Sequence, residues 1–62
     1  MGATKSAPQV GDLVQFREEQ QVVTDIRAGT FILRPVRGAY VETPVEDPDT
    51  LRLIARGGQW RP

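Results

Sequence analysis

Hydrophobic positions alternate with polar ones in short runs, and glycine, proline or charge separates one run from the next. In the run Val10-Gly-Asp-Leu-Val-Gln-Phe16, Gly11-Asp12 punctuates the chain, and Val14 and Phe16 then alternate with Gln15 and Arg17. A repeat of two marks a strand with one face on a core, which predicts a first strand over residues 13–17. Glu18-Glu19-Gln20 reads as a charged connection that discourages edge pairing. A second strand is expected over residues 21–27, with Val22, Thr24 and Ile26 on one face and Val23, Asp25 and Arg27 on the other. Ala28-Gly29 is a two-residue turn in which glycine supplies positive φ. The hairpin leads to a third strand over residues 30–34, with Phe31 and Leu33 inward and Ile32 outward. Pro35 cannot donate to a ladder and ends it. After a turn at Val36-Arg37-Gly38, a fourth strand is expected over residues 39–43 with Val41 inward.

The segment from 48 to 56 supports two readings. Asp47-Pro48 has the form of a helix cap followed by proline at the first helical position, and Gly57-Gly58 has the form of a helix stop. Leu51, Ile54 and Ala55 would then share a helical face. Alternatively, Pro48 opens a single 3₁₀ turn, and a strand follows with Leu53 and Ala55 inward, covering an edge that a small domain cannot leave bare. The favoured fold class is therefore all-β, a small barrel of four or five antiparallel strands with a one-turn 3₁₀ element before the last strand. The alternative is a sheet with a short C-terminal helix at about 48–56. Residues 1–9 have no periodicity and read as a disordered lead-in, leaving 10–62 as one domain. Met1-Gly-Ala-Thr-Lys-Ser6 fits a loose N-myristoylation pattern, but an ordinary chain start ahead of a tail is the favoured reading.

Composition narrows what such a domain can do. With 62 residues there is one small core, and a chain of this size buries only about 60% of its unfolded surface. There is no cysteine and no histidine, which removes disulfides, thiolate zinc sites and the commonest general base. Eight basic and eight acidic side chains cancel, unlike the basic excess of most nucleic-acid binders. The balance is uneven along the chain: Glu42, Glu46, Asp47 and Asp49 precede Arg52, Arg56 and Arg61. Seven of the cations are arginine, leaving Lys5 alone, and arginine favours planar or stacking contacts. No apolar run is long enough to span a bilayer, and a cytoplasmic setting is expected.

The strand layout, with its Val10-Gly-Asp opening, a long first connection, a glycine hairpin and a one-turn element before the last strand, resembles the SH3-like small β-barrels. Tudor-like and KOW-like domains are among them. The likeness covers residues 10–56. It implies a binding module, since such barrels take RNA, DNA, ribosomal surfaces, proline-rich or methylated peptides, or other subunits of an assembly. The chain departs from the pattern in having no aromatic cluster for a proline groove and no extra basic residues of the KOW type. Tyr40 and Trp60 alone cannot build a methyl-lysine cage.

Catalysis is not expected, because no histidine activates the available hydroxyls and no phosphate loop is present. The acids at 42–49 lack calcium-loop spacing and read as a surface loop, so neither metal nor cofactor is expected. What remains is a binding face made from Arg27, Arg34, Arg37, Tyr40, Arg52, Arg56 and Trp60. Arg27 and Arg34 would share a face beside Tyr40 and Glu42, where they would either stack and bind or pair with Asp25, Glu18 or Glu19. Trp60 would be either a lid on the core or an exposed partner anchor. The first reading is a non-catalytic interaction module for a protein partner or larger assembly, without membrane or small-molecule substrate. The alternative is a nucleic-acid-binding barrel. The charge map separates them: a contiguous arginine stripe favours nucleic acid, and interspersed signs around apolar groups favour protein. A domain belonging to a longer protein is a further possibility, given the Trp60-Arg-Pro end.

Overall fold

A computed structural model describes residues 7–38 and 40–60. Five strands form a single antiparallel sheet: β1 (Leu13–Phe16), β2 (Glu19–Arg27), β3 (Thr30–Pro35), β4 (Thr43–Val45) and β5 (Leu51–Ala55), in the order β4-β3-β2-β1-β5. A 3₁₀ turn, Pro48–Thr50, precedes β5. The fold is thus all-β, with the one-turn element where the favoured reading set it and no helix at 48–56. Asp47 explains the stop. Its side chain accepts from the Asp49 amide at 2.9 Å and its carbonyl from the Thr50 hydroxyl at 2.7 Å. Leu51 then returns to extended geometry, because the alternation of Leu51 and Leu53 suits a strand covering a core better than a helix face.

Val14, Val23, Phe31, Leu33, Val45 and Leu51 form the core cluster, with Phe16 and Leu53 packed against it. Since both edge strands contribute, the sheet curls around one face. Two expectations fail here. Val23, expected to share the outward face with Asp25 and Arg27, is fully buried. The cause is a β-bulge: Val23 pairs with Leu33, Asp25 with Ile32, and Thr24 is the extra residue. The bulge lengthens the spacing between inward positions, so Val23 and Ile26 both lie across from core residues, Leu33 and Phe31. The fourth strand lies later than residues 39–43. It pairs Thr43 with Leu33 and Val45 with Phe31, and it is Val45, not Val41, that is buried. Pro44 is tolerated because β4 is an edge, where its missing N–H interrupts no inner ladder. Ala39 lies outside the described residues.

The first connection is not long. Residues 17–18 make a tight turn between β1 and β2, with Arg17 at φ 58°. The β2–β3 turn matches expectation: Ala28 and Gly29 have φ 48° and 83°, the double positive φ of a type I′ turn. Alanine is an uncommon choice there, since left-handed backbone costs a non-glycine residue about 1–2 kcal/mol.

Of the expected lead-in, residues 7–9 are described, and they are tied to the fold. Pro8 is buried, while residues 1–6 lie outside the described region. Gly11, at φ 94°, donates its N–H to the Val23 carbonyl at 2.7 Å, and the Val23 amide donates to the Asp12 carbonyl at 3.0 Å. The Asp12 side chain is 5% exposed. Its Oδ2 accepts from the Gln9 amide and Arg56 Nη1, and its Oδ1 from the Gly57 amide, each at 2.9 Å. The Trp60 indole N–H donates to the Gly11 carbonyl at 2.9 Å. One short turn thereby holds the segment following β5. Burial pushes the Asp12 carboxyl up, but the amides of Gln9 and Gly57 and the Arg56 guanidinium outweigh it, leaving the group below its ordinary value. The contribution to stability is therefore complete above the unfolded value of about 3.9 and is lost as pH falls through the folded one.

Asp12→Asn is expected to lower unfolding free energy by about 2–3 kcal/mol at neutral pH, in urea titrations. The gap to the parent protein should narrow as pH falls below about 3.9; a constant gap would contradict the charge-based account. A Cβ on Gly57 would lie 3.0 Å from the Gly11 carbonyl oxygen and 3.1 Å from its carbon, whereas Gly58 has nothing within 4 Å. Gly57→Ala should therefore cost about 1–3 kcal/mol, and Gly58→Ala within about 0.5 kcal/mol. Ala28→Asn should stabilise by about 0.5–1 kcal/mol, read as a higher urea midpoint.

Candidate interaction surface

The face of the β2–β3 hairpin opposite the core is set by register. Arg27 stands across from Thr30, Asp25 from Ile32, and Val22 from Arg34. Arg27 Nε donates to Asp25 Oδ2 at 2.7 Å, along the strand and not across it, and Asp25 Oδ1 accepts from the Ile26 amide at 2.8 Å. Donation from Arg27, helped by the Ile26 amide, lowers the Asp25 carboxyl, and the same pairing raises Arg27. Arg27 is therefore committed to a carboxylate on its own strand. Glu42 adds a weaker attraction to Arg27.

At the other end of the face, the Arg34 guanidinium lies over the Tyr40 ring, 4.8 Å from its centroid. Such a contact is worth about 0.5–1 kcal/mol at an exposed site. The Tyr40 hydroxyl donates to Glu42 Oε2 at 3.3 Å. Tyr40 was expected within a strand; it lies in the irregular stretch before β4 and is 67% exposed. Val41, expected inside, is 55% exposed, and Val36 is also exposed. Arg37 is exposed in the bend that carries Gly38 at φ 96°. The surface thus runs from the Asp25–Arg27 pair past half-buried Ile32 to Arg34, Tyr40 and Glu42. Cation and anion alternate along it, with apolar groups between.

The other candidates lie elsewhere. Arg52 is exposed on β5, across from Gln15. Arg56 is ion-paired to Asp12 at 2.9 Å, and Trp60 is half-buried against Gly11, the folded-back placement and not the exposed one. The seven candidates therefore divide among the hairpin face, the β5 edge and the Asp12 turn. Sequence reasoning missed Val36 and Val41 as surface groups, because a strand placed four residues early turned Val41 inward. It also missed Asp12, although an aspartate after glycine at a turn is a known side-chain-to-backbone bonding position. Among the described residues no helix is long and apolar enough to cross a membrane. In comparisons with known proteins, the chain matches no family model and has no significant match among curated proteins or solved structures.

Proposed function

We propose that this chain is a non-catalytic interaction module whose partner is a protein or a larger assembly. The observation that carries the reading is the mixed charge of the hairpin face: Asp25 beside Arg27, and Glu42 joined through Tyr40 to Arg34. A single-strand binder needs cations free for phosphates and an aromatic face free for bases. Here Arg27 is neutralised, and one face of Tyr40 is already occupied by Arg34. Exposed Tyr40, Val41 and Val36 among paired charges have the make-up of a protein-contact surface, where tyrosine and arginine are enriched. SH3-like barrels acting as assembly subunits provide the analogy, at the level of architecture.

The test has two arms. In a ¹H–¹⁵N titration with short single-stranded DNA and RNA at two salt concentrations, Arg27, Arg34, Arg37 and Tyr40 should show no salt-sensitive shifts. Shifts that weaken as salt rises would replace this reading with nucleic-acid binding. In the second arm, a photo-crosslinking side chain at position 40 should give a discrete protein adduct that Arg34→Glu abolishes.

A further inference from the structure

β4 and β5 are the two edges of the sheet, and they offer a neighbour different things. β4 has three residues with Pro44 at its centre; shortness and proline both blunt an edge. β5 has five residues and contains neither proline nor lysine. Its pairing with β1 is regular over Phe16↔Leu51, Gln15↔Arg52 and Val14↔Leu53 and shifts only beyond Leu53. The Leu51 N–H goes to the Pro48 carbonyl, not to β1. Along an antiparallel ladder, residues alternate between directing their backbone groups at the partner strand and away from it. Leu53, two positions on, therefore turns its N–H and C=O to the free side.

A groove runs beside that edge, bounded by Leu51, Arg52 and Leu53 in succession and by Ala7 and Pro8, with Asp49 and the Asp12-paired Arg56 also on its wall. Successive strand residues point to opposite faces, so a groove touching all three follows the edge of the strand and not one face. Leu53 is half-buried, and Arg52 is exposed and, among the described residues, makes no ion pair. Unpaired backbone groups, an apolar floor and one available cation together describe a strand-shaped occupant.

We propose that the β5 edge takes an extended segment of a protein partner as an added strand. Apolar side chains at alternate positions rest on Leu51 and Leu53, and an acidic side chain meets Arg52. A strand of five residues is about 16 Å long, so the segment engaged is short and binding is weak. A second copy of this chain fits less well, because its β5 carries no acidic side chain to meet Arg52. The surface is separate from the hairpin face, so either reading can fail alone.

The experiment is a ¹H–¹⁵N titration of the full chain with an alternating valine–glutamate hexapeptide. Two analogues, each N-methylated at one of the two sets of alternate amides, and a valine–lysine counterpart are run beside it. Shifts are expected along β5 and at Ala7, with one methylated analogue at least about tenfold weaker and the other little changed, since only one set of amides faces β5. The lysine peptide should bind about three- to tenfold more weakly, and Arg52→Glu should reverse that order. Three results would overturn the proposal. These are an unchanged β5 at millimolar peptide, equal binding of both methylated analogues, and β5 shifts that grow with protein concentration without peptide, which would assign the edge to a second copy.

Discussion

The Asp12 carboxylate is buried, and a buried charge is tolerated only where donors surround it. Here three donors come from two parts of the chain: the Gln9 amide just before it, and Arg56 and the Gly57 amide after β5. The same turn receives the Trp60 indole and exchanges backbone bonds with Val23 in the middle of the sheet. Removing the carboxylate would leave donors on both sides without acceptors, which is why the cost exceeds that of one lost bond. A chain of 62 residues without cysteine needs such a device. The pairing of β1 with β5 and the burial of Pro8 both lie within a few residues of it.

Once that corner is fixed, the faces of the sheet follow from its irregularities. The bulge at Thr24 decides that buried Val23 lies on the same face as Ile26, which is exposed near the hairpin end, while Asp25 and Arg27 share the other. Without it, strict alternation would carry Asp25 to the core face along with Val23. The mixed-charge surface is thus a product of the same extra residue that completes the core. The acidic run after β4 has an equally local use, since Asp47 spends its side chain and carbonyl on the 3₁₀ turn.

What could be read from the residues was what depends on neighbours in sequence. Alternation in 13–16 and 30–34, the positive φ demanded by Ala28-Gly29, and the Asp47-Pro48 cap each act over two to four positions, and each appears in the structure. The failures have a different origin. A bulge has no local marker in Val22-Val23-Thr24-Asp25, because its benefit lies across the sheet at Leu33 and Phe31. Nothing local marks 43–45 as a strand, since Pro44 has no N–H for a ladder and is accommodated only because β4 is an edge. For the site, arginine type and Tyr40 were legible as candidates. Which of them are already committed was not, since Arg56 finds Asp12 across 44 positions of sequence.

That long reach also divides the contacts by what they cost to close. β1, β2 and β3 are joined by two-residue turns, so their contacts close small loops and carry little entropic cost. The Asp12–Arg56 and Gly11–Trp60 bonds close loops of 44 and 49 residues, nearly the whole described chain. Contacts of that span reward folding only after their closure entropy has been met. By loop length alone, the contacts of the three-stranded meander cost less to close, and those that dock β5 with its trailing turn cost more. Were that docking to loosen, the edge uncovered would be the one on β1 that the native fold keeps paired with β5.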